Sequence, residues 1–285
     1  MKIVKILGGL GNQMFQYAFY LALRKNFGTV KISTVSFEDY TLHNGFELER
    51  IFNINTNYAS GLMSKIYDPT FKEWHIRKLR RMLGLKKAYY EEKKLFEFDK
   101  QILSENVNNR LYWGYWQNEN YFVDIADEIV DAFKFRSPLS AKNRVISEEI
   151  DRSNSVAIHV RRGDYLTNEL LGGLCTLDYY VQAIHVIEEQ IPNATYFIFS
   201  NDIDWCKAHL NLPKASVINW NTGSESYVDM QLMSACKHQI IANSSFSWWA
   251  AWLNSYPEKI VIAPKIWANG IDNNEDVCPK NWLRI

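Results

Sequence analysis

Two arginines at the end of an apolar run set the first chemical constraint. Ser155-Val-Ala-Ile-His-Val160 is apolar and β-rich, and it runs straight into Arg161-Arg162-Gly163-Asp164. In an open α/β sheet, ligands bind outside the carboxyl ends of the strands. A guanidinium placed there is a planar, permanently charged fork that meets phosphate oxygens two at a time, which an ammonium cannot imitate. These residue types in this place point to an anionic, diphosphate-bearing substrate. Alone, an Arg-Arg-x-Asp is more often a surface ion pair of little worth.

Three further segments carry suitable chemistry. Asn243-Ser244-Ser245 lies where the run Gln239 to Ala242 passes into a tryptophan-rich helix. Free N–H groups and small hydroxyls at a helix start can cradle phosphate, and the same serines can serve as N-caps. Asp202-Ile-Asp204 follows the apolar run Tyr196 to Ser200 and spells the D-x-D that can hold Mg²⁺ or Mn²⁺ on a diphosphate. Gly8-Gly-Leu-Gly11-Asn12-Gln13 opens a helix and lets backbone approach a ligand. Its spacing fails both the dinucleotide fingerprint and the Walker A pattern. His43, Asn44 and Glu47 form a polar cluster, and Trp113, Tyr115 and Trp116 are either stacking surfaces for sugar rings or core. Gln117 and Asn118 suit hydroxyl recognition. Trp248, Trp249 and Trp252 read as core, because the i, i+4 spacing of Trp248 and Trp252 puts them on one stripe.

The elements that must hold these groups follow from periodicity. Lys2 to Leu7, Asn12 to Lys25 and Val30 to Val35 read as a βαβ unit. From Ser36 to Arg136 no comparable rhythm exists, and this stretch reads as insertions that shape a cleft. Beyond Ser155, strands at 156–160, 196–200, 216–219, 239–242 and 259–263 alternate with helices at 176–190, 203–210, 225–236 and 245–253. That alternation predicts a parallel, doubly wound sheet. Two Rossmann-like halves, joined between Phe135 and Asn154 and facing across a cleft, are expected.

The Gly8 to Ala18 stretch, the His159 motif, and Asn243-Ser-Ser-Phe-Ser-Trp-Trp-Ala-Ala-Trp-Leu253 together resemble the α-1,2-fucosyltransferases of glycosyltransferase family 11, in order and over nearly the whole chain. The resemblance implies a GT-B-like α/β fold, with residues 1–145 on the acceptor side and 146–285 binding GDP-fucose. It implies inverting, metal-independent transfer of L-fucose to the 2-hydroxyl of a galactose-terminated glycan in bacterial-type surface polysaccharide synthesis, with no cofactor. Arg161 becomes the diphosphate clamp. Because successive strand residues point to opposite sides, Arg162 is expected to hold the loop through Asp164. Asp202 and His159 are assigned to guanine, and Gly11, Asn12 and Gln13 to the donor's sugar and phosphates. His43, Asn44 and Glu47 fall to the acceptor side. Asp164 and Glu47 are the candidates for a general base, if the reaction uses one. Another nucleotide-sugar donor, or a lectin that needs neither Arg161 nor nucleotide, are the rival readings.

Composition narrows the class. Formal net charge is zero with 47% hydrophobic and 22% charged residues, so no global field draws in nucleic acid, and anion binding must be local. Cys175, Cys206, Cys236 and Cys278 lie far apart and fit a reduced, cytoplasmic protein. The opening residues read as a strand, since glycines and amides interrupt any signal-like apolar run. The basic segment Lys72 to Lys94 interleaves Trp74, Leu79, Met82 and Leu83. It is either a solvated helix face or a peripheral contact with membrane or a lipid-linked glycan.

Overall fold

The computed structural model describes residues 1–38, 44–105, 107–272 and 274–285. It comprises two compact units that divide between Arg136 and Ser137. The first begins with β1 (Lys2–Lys5), α1 (Leu10–Phe27) and β2 (Val30–Ser33). It continues through α2 (Leu48–Ile51), α3 (Gly61–Tyr67), α4 (Trp74–Met82), β3 (Tyr89–Glu91), α5 (Lys100–Ser104), β4 (Arg110–Trp113) and α6 (Ala126–Ala132). Helix α1 is buried almost all round from Leu10 to Leu23, as a helix apolar on every side must be. It stops at Gly28, whose φ of 72° suits glycine and whose N–H donates to Arg24 O.

The first sheet has the order β2-β1-β4-β3, with every pair parallel. Side chains alternate across it. Ile3 and Leu111 pack with Ile66 and Tyr67 of α3 and Ile76 of α4. Tyr112, the next residue along β4, meets Phe19 of α1 edge-on at 5.5 Å. Helix α1 therefore covers one face, and α3 with α4 the other. This corrects the reading of residues 36–136 as insertions, because β4 lies beside β1 in the middle of the sheet. Only four residues long and carrying Arg110, β4 gives no apolar run to detect.

The second unit contains α7 (Ala141–Arg152), β5 (Asn154–Val160), α8 (Leu177–Gln190), β6 (Ala194–Ser200), α9 (Ile203–His209) and β7 (Ala215–Ile218). After these come α10 (Tyr227–Ala235), β8 (His238–Ile240), α11 (Ser245–Leu253), β9 (Val261–Ala263) and β10 (Leu283–Arg284). Its sheet is parallel in the order β10-β9-β8-β5-β6-β7. The chain starts at the centre in β5, moves outward through β6 and β7, then crosses back to β8. The order reverses between β5 and β8, which pair in the register Val156↔His238 and Ile158↔Ile240. Both halves are thus parallel α/β units, as the patterning predicts.

Ser155 to Val160 are all buried, so β5 reads as a continuous apolar run. Val156, Ile158 and Val160 pack on Tyr180, Ala183 and Ile187 of α8, and full burial of each such aliphatic is worth roughly 1.5–3 kcal/mol. On the opposite face the His159 ring lies 5.8 Å from Phe246 of α11. Trp248 and Trp249 of α11 are fully buried, and Trp248 stacks on Trp252 at 6.3 Å, which matches the core stripe expected from their spacing. The four cysteines are free. Among the described residues, no helix is long and apolar enough to cross a membrane.

Candidate active site

Where strand order reverses, the loops after the two central strands diverge and leave a crevice. In the second unit this point lies between the carboxyl ends of β5 and β8. The Arg161 motif follows one strand and Asn243-Ser244-Ser245 the other. Arg161 Nη2 is 2.9 Å from the Asp164 carboxylate, and its guanidinium lies 5.5 Å from the Tyr165 ring centroid. Arg162 turns the other way, its Nε donating to Asp202 Oδ2 at 3.0 Å and its guanidinium lying 4.5 Å over the Trp205 ring. The alternation is as expected but the partner is not: Asp164 anchors Arg161, and Asp202 anchors Arg162. Asp202 also caps α9, its Oδ1 accepting from the Trp205 N–H at 3.2 Å.

Asn201 ties these groups together. Its Oδ1 accepts from the Arg162 N–H at 2.9 Å, and its Nδ2 donates to Asp164 at 3.4 Å. A Cβ at position 163 would come within 2.3 Å of Asn201 Nδ2, so only glycine admits this approach. Sequence reasoning missed Asn201; the available signal was its place between the end of β6 and Asp202.

Two polar atoms at this strand end are buried without partners: Arg161 Nε and His159 Nδ1. Buried polar atoms are nearly always satisfied, so such a pair marks where a ligand can complete the bonding. Burial, and then the neighbouring Arg161 charge, push the His159 pKa down to about 3, so the ring is neutral at physiological pH. Across the switch point, Asn243 is used structurally, its Nδ2 donating to Leu171 O at 2.9 Å and to Trp267 O at 3.1 Å. Ser244 occupies the N-cap position of α11 without a side-chain cap bond, and Ser245 begins the helix. The Ser244 hydroxyl therefore does not cap the helix and pairs instead with the Tyr165 side chain. A cavity of about 90 Å³ lies here, lined by Arg161, Arg162, Tyr165, Leu171, Cys175 and Asn243 among others.

The first unit has its own switch point, between β1 and β4. Gly8, at φ 80°, turns the chain out of β1, and Gly11, Asn12 and Gln13 lie in the first turn of α1. Gln16 clamps the two strand ends, accepting from Leu7 N–H at 2.9 Å and donating to Gly114 O at 3.0 Å. Asn12 Oδ1 accepts from Gln117 Nε2 at 2.8 Å across the same gap. Gln13 departs from its expected ligand role. It is fully buried, donating to Gly8 O and Gly45 O and accepting from the Glu47 N–H. It is a brace between α1 and residues 45–47.

Glu47 is buried and pairs with Arg50 at 2.7 Å, while Asn44 donates to it at 3.1 Å. His43 lies outside the described residues. Trp116 is core, stacked on Phe19 at 4.2 Å, whereas Trp113 and Tyr115 are partly exposed. Glu92, just past β3, was not singled out by sequence. Its carboxylate accepts from the N–H groups of Tyr115 at 2.7 Å and Trp116 at 3.2 Å. Burial raises its pKa to about 7 despite those bonds. Trp116 sits at φ 56°, a left-handed conformation costly for a bulky residue, and Glu92 holds it there.

Residues 1–285 match the family model described as glycosyl transferase family 11. The chain belongs to that family. This glycosyltransferase is 36% identical over 292 residues to an alpha-1,2-colitosyltransferase of Escherichia coli, covering 99% of this chain and 98% of the relative. It is 32% identical over 305 residues to the O-antigen biosynthesis glycosyltransferase WbnK of Escherichia coli, covering 98% of each. With the galactoside alpha-(1,2)-fucosyltransferase 2 of Rattus norvegicus it shares 23% identity over 262 residues, covering 88% of this chain and 66% of the relative. A glycosyltransferase of this family uses a nucleotide-sugar donor and a glycan acceptor. Among the described residues, no three His, Cys, Asp or Glu side chains converge as a metal site. In the D-x-D segment, Asp202 accepts from Arg162 through Oδ2 and from the Trp205 N–H of α9 through Oδ1.

Proposed function

We propose that this glycosyltransferase moves L-fucose from GDP-fucose to the 2-hydroxyl of a galactose-terminated glycan, with inversion. The donor occupies the second unit and the acceptor the first. The observation that carries the reading is Arg161: a guanidinium fixed by Asp164 at a topological switch point, with Nε buried and unpartnered. As the sugar C1–O bond stretches, negative charge grows on the leaving diphosphate, and a pre-positioned cation stabilises that charge without reorganising. The cationic role falls to Arg161. Neutral His159 faces the guanine, and Asp202 keeps unused lone pairs to accept from its N–H edge. The α-1,2 linkage appears in the names of relatives at 36% and 23% identity, which supports the choice of hydroxyl.

Identity to a colitosyltransferase favours a second reading, in which the donor sugar is colitose. Colitose is fucose without its 3-hydroxyl, so the two readings differ in one hydrogen-bonding group. A site built to bond that hydroxyl rejects the deoxy sugar strongly, while an apolar one discriminates weakly. Incubation with GDP-fucose and GDP-colitose in turn, against a panel of galactosides with linkage assigned by NMR, tests both. Transfer of fucose to O2 of galactose is expected. Turnover of GDP-colitose alone would transfer the proposal to the second sugar, and turnover of neither would end it.

A further inference from the structure

We infer that the outward face of α4 docks on an anionic lipid bilayer. The helix has two sharply different sides. Inward, Ile76 and Leu79 pack on the core beneath the first sheet. The Arg80 guanidinium is spent on backbone carbonyls, donating to Ile66 O, Lys65 O, Asp68 O and Phe71 O. These contacts fix the helix rigidly with one face turned to solvent.

That outward face combines charge with apolar bulk. At 100° per residue, Arg77, Arg81, Trp74, Lys78 and Met82 fall on one continuous arc. Trp74 is 73% exposed, Met82 71%, and Leu83, just past the helix end, 54%. Arg77, Lys78, Arg81, Lys86 and Lys87 are exposed and, among the described residues, none forms an ion pair. Between residues 72 and 87 stand seven Lys or Arg against the single acid Glu73, in a chain whose formal net charge is zero. A solvated helix face has no use for a tryptophan, a methionine and a leucine standing free. A bilayer surface uses both sets: anionic headgroups attract the cations, and the aromatic and thioether side chains enter the interface between them. The short helix and the small apolar area predict peripheral, salt-sensitive attachment. A membrane-attached enzyme meets a lipid-linked acceptor in two dimensions, but the surface does not depend on which sugar is transferred.

The test is cosedimentation of the full chain with vesicles containing phosphatidylglycerol and with vesicles of phosphatidylcholine alone, at low and high salt. The expected result is binding to the anionic vesicles only, weakened by salt. Each neutralised cation is expected to cost about fivefold in partitioning, so the triple variant Arg77→Gln, Lys78→Gln, Arg81→Gln loses on the order of 100-fold. Trp74→Ser with Met82→Ser is expected to reduce the fraction that remains bound as salt rises. All these positions are exposed, so circular dichroism should show an unchanged fold, and transfer to a soluble acceptor should continue. Failure of the folded wild type to bind anionic vesicles overturns the inference, as does equal binding by the triple variant. Retention on polyglutamate without vesicle binding would also overturn it, by making the face a contact for acidic polypeptide.

Discussion

Replacing Arg161 by alanine is the sharpest test of the proposed chemistry. The variant should stay folded, because the side chain is 29% exposed and its ion partner Asp164 54% exposed. A pair so open to solvent contributes at most about 1 kcal/mol to stability after screening. What the variant loses is the pre-placed cation. Removing one donor aimed at developing negative charge costs about 3–4 kcal/mol in the transition state, or roughly 100- to 1,000-fold in kcat. Arg161→Lys keeps the charge but loses the fork that Asp164 orients, so it should recover only part of that loss. Asp164→Asn should lie between the two, since it loosens the guanidinium without removing it. Measuring kcat and KM for the donor, with a thermal melt of each variant, separates turnover from folding. Alanine turnover within threefold of wild type, with an unchanged melting temperature, would refute the assignment.

Three further outcomes follow from the geometry. Gln13→Ala leaves the Glu47 N–H and the carbonyls of Gly8 and Gly45 without their partner, so it should destabilise the protein by about 2–4 kcal/mol and raise the acceptor KM; thermal melts and acceptor titrations would read both, and an unchanged melt would contradict the brace. Asp202→Ala removes the α9 cap as well as the Arg162 partner, and should cost about 1–2 kcal/mol in a denaturant titration, whereas Asp202→Asn keeps the cap and should cost less. Titration supplies the third pair of outcomes. Glu92 has its pKa raised from 4.5 to about 7 in the fold, so the stability of wild type relative to Glu92→Gln should fall as pH rises through that window. His159 has its pKa lowered from 6.5 to about 3, so the stability of wild type relative to His159→Asn should fall as pH drops below 6.5. Melts across pH would expose either sign error.

The second unit was legible in sequence because burial writes itself plainly there. Strands β5 and β6 are covered on both faces, so their sequences are unbroken apolar runs, and the helices between them have ordinary length. The two-residue β10 is too short to leave any pattern. In the first unit, Tyr89-Tyr90-Glu91 and Arg110-Leu-Tyr-Trp113 place aromatics and charges on short strands, and without an apolar run they read as part of the insertions. Side-chain partners were the hardest part. Strand alternation correctly sent Arg161 and Arg162 to opposite sides, but Arg162 found its acid just past the next strand of the sheet, at the start of α9 and 40 residues away. A glutamine that bonds a ligand and one that bonds backbone look identical in sequence, and the contacts of Gln13 lie 32 and 34 residues downstream.

The order β2-β1-β4-β3 has a consequence for synthesis. β1 is made first, yet one of its two edges is covered only by β4, whose Arg110 to Tyr112 pair with Lys2 to Val4. Until about a hundred further residues have left the ribosome, that edge stays open, with Ile3 and Val4 ready to pair with another chain. Gln16, which joins the end of β1 to Gly114, can close its second bond only then. The nascent first unit therefore cannot finish folding in the order in which it emerges, and chains released before residue 113 should be the ones that aggregate.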